Sequence, residues 1–573
     1  MFIRPKIPLF VFLLTSAFML AACYKAETAL PITTISPLAE TLTLKGTQTP
    51  TPTTKIKAVP FDLGESMIAQ PWASLEEFRN MPVRLNGLIA VPPTGDNLPV
   101  AIIIHGSHDT GCPSPDGYTA TWLCPGQEIP NYQGFAYLIE ALAEHGYVAF
   151  SLNANPAYVS AYGQPAANQR LPLLLDQYLA KIAAASKGED VGLGVDLTGR
   201  VDWKQLVILG HSAGGEGVSW IIESRADHTA AEQIVAGQGP IAAAILLAPS
   251  STNPADIKPS LPLAVILPAC DRDVADLSGQ YYYESARLQP QREDLAVSLY
   301  LPGMNHNRFN TLLEDETLGN ASSICDGALL PEEAQQGFLA NYATHYFDAV
   351  LGRDGQSAAL IGIDPSQPAP AKLFERQVLT SLAFPTPQRW VLPLSGDSTK
   401  GVVTGVDCEP GYALAEGKME TCRLRFNQPG SPEELALAWN GAGGIYSLDL
   451  PEGKRDLTGY EKLHLHAAVD PLNPLNEQGQ PQSFSLRLTD GDGKTASVTL
   501  KDEPALTFPA GKKGFDDYFR VDTWDNHVIL SSIRVPLAAF SGVDLSNIQA
   551  ISLVFDATDS GAIFVTDLEL LRP

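Results

Sequence analysis

Apolar and polar positions follow two different rhythms along the chain. Between about Pro82 and Gly352, short runs that are apolar almost throughout, such as Ala101-Ile-Ile-Ile-His105 and Ala244-Ile-Leu-Leu-Ala248, alternate with stretches of helical periodicity. Strands of this kind are typical of a parallel sheet with helices on both faces. The pattern predicts an α/β domain with a doubly wound, mostly parallel sheet. The predicted strands are Val83–Val91, Val100–His105, Tyr147–Asn153, Leu206–Leu209, Ala242–Ala248, Leu263–Leu267 and Ala296–Leu301, and the predicted helices are Phe135–His145, Leu171–Ser186, Ala213–Ser224, Leu277–Leu288 and Pro331–Val350.

The rhythm changes after about Phe384. Short strands with alternating apolar and polar positions are separated by turns such as Asp490-Gly-Asp-Gly493. This pattern predicts an all-β sandwich of about 180 residues. Its predicted strands are Lys462–Ala468, Phe484–Thr489, Ala496–Leu500, Ser532–Pro536, Ala550–Phe555 and Ala562–Leu570.

These patterns divide the chain into five segments. Residues 1–22 are predicted to be a signal peptide, 23–57 a Thr/Pro-rich stalk, and 58–352 the α/β domain. Residues 353–384, which include the Pro-rich stretch "DPSQPAPAK", are predicted to be a linker, and 385–573 the sandwich.

The first residues have the features of an export signal. Arg4 and Lys6 precede an apolar run, Ile7–Leu20, that is shorter than the roughly 20 residues of a membrane-spanning helix. The run ends in Leu20-Ala-Ala-Cys23, which resembles the lipobox of bacterial lipoproteins, in which the cysteine is lipidated. We therefore expect an exported, extracytoplasmic lipoprotein of the cell envelope, anchored to a membrane through Cys23. In the alternative, the signal is an ordinary cleaved one and Cys23 is incidental.

Charge and cysteine content narrow the possible functions. The formal net charge of −26 argues against binding to nucleic acid, because a polyanion would be repelled. Six cysteines remain besides Cys23, and in an oxidising compartment they can pair in fifteen ways. Proximity in the sequence suggests the pairs Cys112–Cys124 and Cys408–Cys422, which leaves Cys270–Cys325; free buried thiols are the alternative. The spacing of the cysteines does not indicate a zinc site.

The pentapeptide Gly210-His-Ser-Ala-Gly214 places a candidate nucleophile, Ser212, between a predicted strand and a predicted helix. This is the context of a nucleophile elbow, in which glycines allow a sharp turn that exposes the serine hydroxyl. The backbone N–H of Ala213, at the helix start, can stabilise a negatively charged oxygen. The backbone N–H of Ser107, after the strand that ends in His105-Gly106, is the candidate second donor.

A serine nucleophile also needs a base and an orienting acid, which in this arrangement follow it in the order Asp, His. The strand Leu263–Leu267 leads into a turn that contains Asp271 and Asp273. Asp273 is the preferred acid and Asp271 the alternative; either can instead be a helix-capping carboxylate. His306, in the loop after the strand Ala296–Leu301, is the candidate base.

With these residues in view, residues 82–352 resemble the α/β-hydrolase superfamily. The segments Gly210-His-Ser-x-Gly-Gly-Glu216, Cys270-Asp-x-Asp-Val-x-Asp-Leu-x-Gly-Gln280 and Asn305-His-Asn-x-Phe-Asn310 resemble a poorly characterised group of exported bacterial serine hydrolases. The resemblance implies ester hydrolysis through an acyl-enzyme on Ser212, and it favours Asp273 over Asp271. That group often has Arg where this chain has Ala213, so the pocket beside the nucleophile differs.

The predicted function is therefore a membrane-tethered serine hydrolase that cleaves carboxylic esters, small or polymeric, without a cofactor or a metal. The alternatives are a serine peptidase or amidase, and a non-catalytic surface lipoprotein that binds glycans or envelope polymers. The insertion Gly111–Gln133 either forms one wall of the acyl site or is a surface loop.

The C-terminal segment resembles jelly-roll accessory modules such as carbohydrate-binding domains, which makes a glycan a possible partner. Trp439 and Trp524 can stack on a sugar or pack in the core. The acidic turn at Asp490–Asp492 is either a plain hairpin turn or a calcium site.

Overall fold

A computed structural model of the protein describes most of the chain that follows the predicted signal and stalk. The described residues are 55–572, with gaps at 74, 108–127, 160–166, 227–238, 256, 258–259, 275–276, 315–328, 393, 395–400, 409–423, 427–432, 471–472, 478–479 and 508–527. The predicted signal peptide, Cys23 and most of the predicted stalk therefore lie outside the described residues, as do Cys112, Cys124, Cys325, Cys422 and Trp524.

The α/β part is built on one mixed sheet of nine strands. Strands in this part are β1 (Val59–Ala69), β2 (Asn80–Ala90), β3 (Leu98–Ile104), β4 (Val148–Leu152), β5 (Val201–His211), β6 (Ile241–Leu247), β7 (Leu263–Pro268), β8 (Ala296–Leu301), β9 (Lys372–Leu373), β10 (Arg376–Gln377) and β11 (Leu379–Ala383). The sheet has the order β1-β2-β4-β3-β5-β6-β7-β8-β11, and β9 pairs only with β10. The neighbouring strands β4, β3, β5, β6, β7 and β8 pair in parallel. Strands β1 and β2 at one edge and β11 at the other edge pair antiparallel.

Helices cover both faces of this sheet. They are α1 (Ala136–Glu144), α2 (Asn155–Tyr158), α3 (Ala167–Ser186), α4 (Ala213–Ser224), α5 (Gln280–Arg287), α6 (Glu332–Val350) and α7 (Ser357–Leu360). Side chains of α3, α4 and α5 share one apolar core with Ile102 and Ile208, and those of α1 and α6 share the other with Ile103 and Leu209. The central strands are apolar throughout because successive side chains enter opposite cores, and both cores are buried.

Each of the strands and helices predicted between residues 82 and 352 has a counterpart within a few residues of its predicted bounds. The coarse prediction of an α/β domain followed by β sheets is confirmed. Pattern reading missed β1, an edge strand whose exposed and buried positions are mixed. It also missed β11, a short strand whose buried residues include the polar Thr380 and Ser381.

The segment 353–384 is more than the predicted linker. It contains α7, the β9–β10 pair and β11, and β11 pairs with β8 from Leu379 opposite Tyr300 to Ala383 opposite Ala296. The prediction was wrong for this strand. The Pro-rich composition that suggested a linker holds only for the residues that precede it.

The C-terminal part consists of two antiparallel sheets that share one apolar core. One sheet has the order β14-β16-β23-β18-β21, with β12 also paired to β23 and β15 to β16; the other has the order β13-β17-β22-β19-β20. The strands are β12 (Arg389–Leu392), β13 (Gly401–Thr404), β14 (Asp407–Cys408), β15 (Leu424–Phe426), β16 (Glu433–Asn440), β17 (Gly444–Asp449), β18 (Lys462–Val469), β19 (Phe484–Asp490), β20 (Thr495–Leu500), β21 (Ser531–Pro536), β22 (Ile548–Phe555) and β23 (Ser560–Leu571). All six predicted strands are present; β12 to β17 were not predicted.

The structure bears on two alternatives that the sequence left open in this part. Trp439 is 1% exposed, stacks on Phe555 at 4.3 Å between ring centroids and donates to the carbonyl of Thr558, so it is a core residue. The carboxylate of Asp490 accepts from the backbone N–H groups of Asp492, Lys494 and Asp544, as in a closed hairpin turn. The calcium alternative for this turn stays a prediction.

The sandwich covers the β11 edge of the large sheet through buried polar contacts. The backbone N–H of Leu382 donates to Ser532 Oγ (2.9 Å), and its carbonyl oxygen accepts from His466 Nε2 (3.0 Å). His464 bonds both Glu569 (2.7 Å) and Ser532 (2.9 Å). Burial alone would raise the pKa of Glu569, but the bond from His464 and the nearby positive charges lower it to about 2. The two parts therefore meet across buried polar and charged side chains.

Candidate active site

Ser212 occupies a strained turn between β5 and α4. Strand β5 ends at His211 and α4 begins at Ala213, so Ser212 is the single residue between them. Its backbone has φ 57° and ψ −128°, which lies outside the regions that L-residues favour and costs on the order of 1–3 kcal/mol. Its N–H donates to the carbonyl of Leu247 at the end of β6 (2.9 Å), and its own carbonyl accepts from Gly215 (2.8 Å). This is the sharp strand–turn–helix geometry that the Gly-x-Ser-x-Gly pattern predicted, but Ser212 is only 5% exposed, whereas the pattern predicted an exposed hydroxyl.

Two glycines make this turn possible because a side chain at either position would collide with backbone. A Cβ on Gly210 would lie 2.3 Å from the carbonyl oxygen of Gly214. A Cβ on Gly214 would lie 2.6 Å from the carbonyl oxygens of both Ile104 and His105. The start of α4 is thereby packed directly against the end of β3, the strand that leads to Ser107.

His306 and Asp271 form a buried pair in the loops after β8 and β7. His306 Nδ1 lies 2.9 Å from Asp271 Oδ2, and the side chains are 0% and 1% exposed. The second carboxylate oxygen of Asp271 accepts from the backbone N–H groups of Asp273 (2.9 Å) and Val274 (2.7 Å). Because the carboxylate can only accept, it fixes the hydrogen of His306 on Nδ1, so Nε2 carries the lone pair in the neutral ring.

Asp273, the preferred acid in the sequence interpretation, lies elsewhere on the same ring. Its carboxylate is 3.4 Å from His306 Nε2, and its side chain is 59% exposed. An acid that orients a catalytic histidine must bond Nδ1, the nitrogen remote from the serine. The geometry therefore favours the alternative, Asp271. The sequence does not distinguish the two, because they differ by two positions in one turn.

His211 is a site residue that the sequence interpretation did not single out, although it lies inside the serine motif. Its Nε2 is 3.1 Å from the carbonyl oxygen of His306, and the two rings are 4.7 Å apart between centroids at 39°. The residue before the candidate nucleophile is thus in contact with the candidate base. Across the fold, this contact joins β5 to the loop after β8.

The predicted oxyanion donors lie on either side of the packed junction between α4 and β3. Ala213 is the first residue of α4, so its own N–H has no acceptor within the helix. Ser107 is exposed and follows the fully buried His105. Burial lowers the pKa of His105 to about 4, so the ring is neutral; its Nδ1 donates to Gly106 (2.7 Å) and its Nε2 accepts from Ala154 (2.9 Å). His105 therefore fixes the backbone that carries Ser107.

Two further side chains hold the loops around the site. Glu216, in the first turns of α4, accepts from Ser250 Oγ (2.9 Å) and from the backbone N–H groups of Thr252 (2.9 Å) and Asn253 (3.2 Å). It thereby anchors the loop after β6. Gln335 of α6 accepts from the backbone N–H of Asn305 (3.0 Å), directly before His306. Gln335 has no sequence signal that separates it from an ordinary helix residue, whereas Glu216 ends the segment Gly210–Glu216 on which the family resemblance rests.

Several predicted features can be followed only in part. Cys270 and Cys408 are buried, but every partner suggested for them lies outside the described residues, so the disulfide pairings stay predictions. The insertion Gly111–Gln133 is described only from Glu128 onward. Within the described part of the chain, no three His, Cys, Asp or Glu side chains are grouped so that they could hold a metal ion, and no helix is long and apolar enough to cross a membrane.

A serine in a strained turn, a buried histidine with a carboxylate on Nδ1, and helix-start N–H groups are the parts that nucleophilic acyl transfer requires. All of them lie after the carboxyl ends of β3, β5, β7 and β8, where open α/β sheets bind ligands. In comparisons with known proteins, the chain matches no family model and no curated protein.

Proposed function

We propose that residues 58–352 form a serine hydrolase of the α/β-hydrolase type, which cleaves carboxylic esters through an acyl-enzyme on Ser212. The observation that carries the proposal is the buried His306–Asp271 pair, whose histidine ring contacts the residue directly before a serine held at positive φ. A strained backbone at one polar residue is typical of functional sites. Here it is supported by two glycines at which a Cβ would collide with backbone.

In the proposed reaction, Ser212 Oγ attacks the ester carbonyl carbon while His306 Nε2 takes the hydroxyl proton. Asp271, on Nδ1, keeps the ring in the required tautomer and stabilises the imidazolium that forms. The C–O bond to the alcohol then breaks, and His306 returns the proton to the leaving oxygen. Water then attacks the carbonyl carbon of the acyl-enzyme while His306 Nε2 takes a proton from it. The bond to Ser212 Oγ breaks, His306 returns the proton to Ser212 Oγ, and the carboxylic acid is released.

The N–H groups of Ala213 and Ser107 would bind the oxyanion of each tetrahedral intermediate. Removing one such donor from a serine hydrolase typically costs on the order of 10²–10³ in kcat. Both donors are backbone groups, so they are positioned by the contact of Gly214 with the end of β3 and by the neutral ring of His105.

A peptidase or amidase uses the same residues and differs in how it protonates the leaving group. An ester substrate and the anilide of the same acid, compared at equal concentration, separate the two functions. The export signal, the lipid on Cys23 and any glycan ligand of the sandwich remain parts of the proposal that the sequence alone supports.

The proposal is tested by fluorophosphonate labelling of the purified full-length protein, followed by mass-spectrometric mapping of the adduct. We expect one adduct on Ser212, which is lost in Ser212→Ala and strongly reduced in His306→Ala. His345→Ala is the matched control, because His345 is a partly buried histidine of α6 that bonds Ser357 (2.9 Å). A folded protein without an adduct on Ser212 contradicts the proposal.

A further inference from the structure

His211 is fully buried, directly precedes the candidate nucleophile in the chain and contacts the candidate base. It is the last residue of β5, so its backbone is fixed by the ladder that pairs it with Leu247 of β6. Phe135 packs edge-on against its ring, with 5.7 Å between centroids. The ring therefore has a defined position from which it can act on its neighbours.

The hydrogen bond between His211 and His306 has only one possible direction. A backbone carbonyl accepts and cannot donate, so the hydrogen lies on His211 Nε2 and is donated to the carbonyl oxygen of His306 over 3.1 Å. This bond holds the backbone of His306 rather than its ring. It ties the position of the base to the strand that carries the nucleophile.

The second contact acts on the ring itself. At 4.7 Å between centroids, the His211 ring lies against the His306 ring, whose nitrogens face Asp271 and Asp273. The π electrons of a neutral aromatic ring attract a cation that lies against it. Asp271 and Asp273 are charged groups that face His306, and Phe135, which packs edge-on against the His211 ring, is uncharged.

We propose that His211 is a positioning residue for His306, with two separable actions that rest on the proposed function: a donor that places the backbone of the base, and a ring that stabilises its charged form. Neither action touches substrate. His211 works only through His306.

Two substitutions separate these actions. His211→Gln removes the ring but can keep a donor, because the Gln side-chain amide reaches about as far as Nε2 of histidine. His211→Phe keeps an aromatic ring and removes the donor, which leaves the His306 carbonyl without that bond. His345→Gln and His345→Phe are the matched controls in α6.

We expect His211→Phe to lower the rate of fluorophosphonate labelling of Ser212 about tenfold or more, the effect of losing one buried hydrogen bond at the base. We expect His211→Gln to keep most of the rate but to move the acidic limb of its pH profile down by about half a pH unit, because the favourable ring contact is lost. A purely structural role would lower the melting temperature without moving that limb.

The titration of His306 is followed in parallel by NMR on protein with isotope-labelled histidine, assigned with His306→Ala. This readout does not depend on catalysis. If wild-type protein fails to label at Ser212, the proposed function fails, while a lower His306 midpoint in His211→Gln still supports the positioning role. The positioning role is overturned if both variants label at the wild-type rate and keep the wild-type midpoint of His306. It is also overturned if both variants lose the same labelling rate and neither shifts that midpoint.

Discussion

Asp271→Asn and Asp273→Asn are a matched pair of substitutions that test the acid of the candidate site. The two residues share one turn and differ by two positions, yet Asp271 is 1% exposed on Nδ1 of His306 and Asp273 is 59% exposed on Nε2. Each substitution replaces one carboxylate oxygen by an NH₂ group and leaves the size of the side chain unchanged. Any difference between the variants therefore reports on position.

In Asp271→Asn, one side-chain oxygen can still accept from the backbone N–H groups of Asp273 and Val274, which turns the NH₂ group towards His306 Nδ1. Two donors then face each other, and the pair is restored only if the histidine hydrogen moves to Nε2. A histidine in that tautomer cannot accept the serine proton. The expected loss of kcat is on the order of 10³–10⁴, and a factor of ten corresponds to about 1.4 kcal/mol of activation free energy.

In Asp273→Asn, an exposed contact of 3.4 Å is changed. Exposed ion pairs contribute about 0–1 kcal/mol, so we expect a change in kcat of less than about fivefold. The assay is hydrolysis of an activated ester together with the rate of fluorophosphonate labelling, and circular dichroism verifies that both variants are folded. Equal losses in the two variants, or a larger loss in Asp273→Asn, would show that the assignment of Asp271 is incorrect.

Three further predictions follow from the contacts around the site and at the β11 edge. Gly214→Ala should reduce labelling of Ser212 by about 10²-fold, because its Cβ meets the fixed backbone of Ile104 and His105. Gly217→Ala is the control, because its new Cβ meets the mobile end of the Leu171 side chain instead. A loss as large in Gly217→Ala would contradict the argument. Acid should destabilise the protein. The pKa of His105 is lowered to about 4 in the folded state, so the unfolded state binds the extra proton first as the pH falls. About 3 kcal/mol of stability that is present above pH 6.5 is therefore lost as the pH falls towards 4. Urea unfolding at several pH values measures this loss, which should be smaller in His105→Gln; an equal loss in that variant would assign it to other groups. Ending the chain at residue 384 should uncover β11 and cause self-association, measured by size-exclusion chromatography, whereas a monomeric fragment as stable as the full chain would show that the sandwich is dispensable for the fold.

The parts of the fold that pattern reading predicted are those in which one local rule decides the structure. Runs such as Ala101–His105 must be buried on both faces wherever they lie, so their strands were found within a few residues. The elbow at Ser212 was likewise predictable, because the glycines at 210 and 214 report a steric requirement that acts over only five residues.

The remainder depends on contacts between distant segments. Strand β11 exists because its backbone pairs with β8 on one side and is covered by Ser532 and His466 on the other, residues that lie 150 and 84 positions away from Leu382. Nothing in the sequence of Leu379–Ala383 contains that information. Glu216 and Gln335 are similar cases, since each acquires its role from a loop that is remote in sequence.

The choice between Asp271 and Asp273 shows why a motif can identify a turn and still leave its chemistry open. In an Asx turn, the carboxylate accepts from backbone N–H groups two or three residues ahead and is held against the turn backbone. An acid that lacks such bonds is not held in this way. Asp271 bonds the N–H groups two and three residues ahead, and it is the one that is buried against His306. In this turn, the local Asx geometry thus favours Asp271 as the carboxylate that orients the base. The preference for Asp273 comes from the family resemblance, which does not report which of the two side chains bonds the turn backbone.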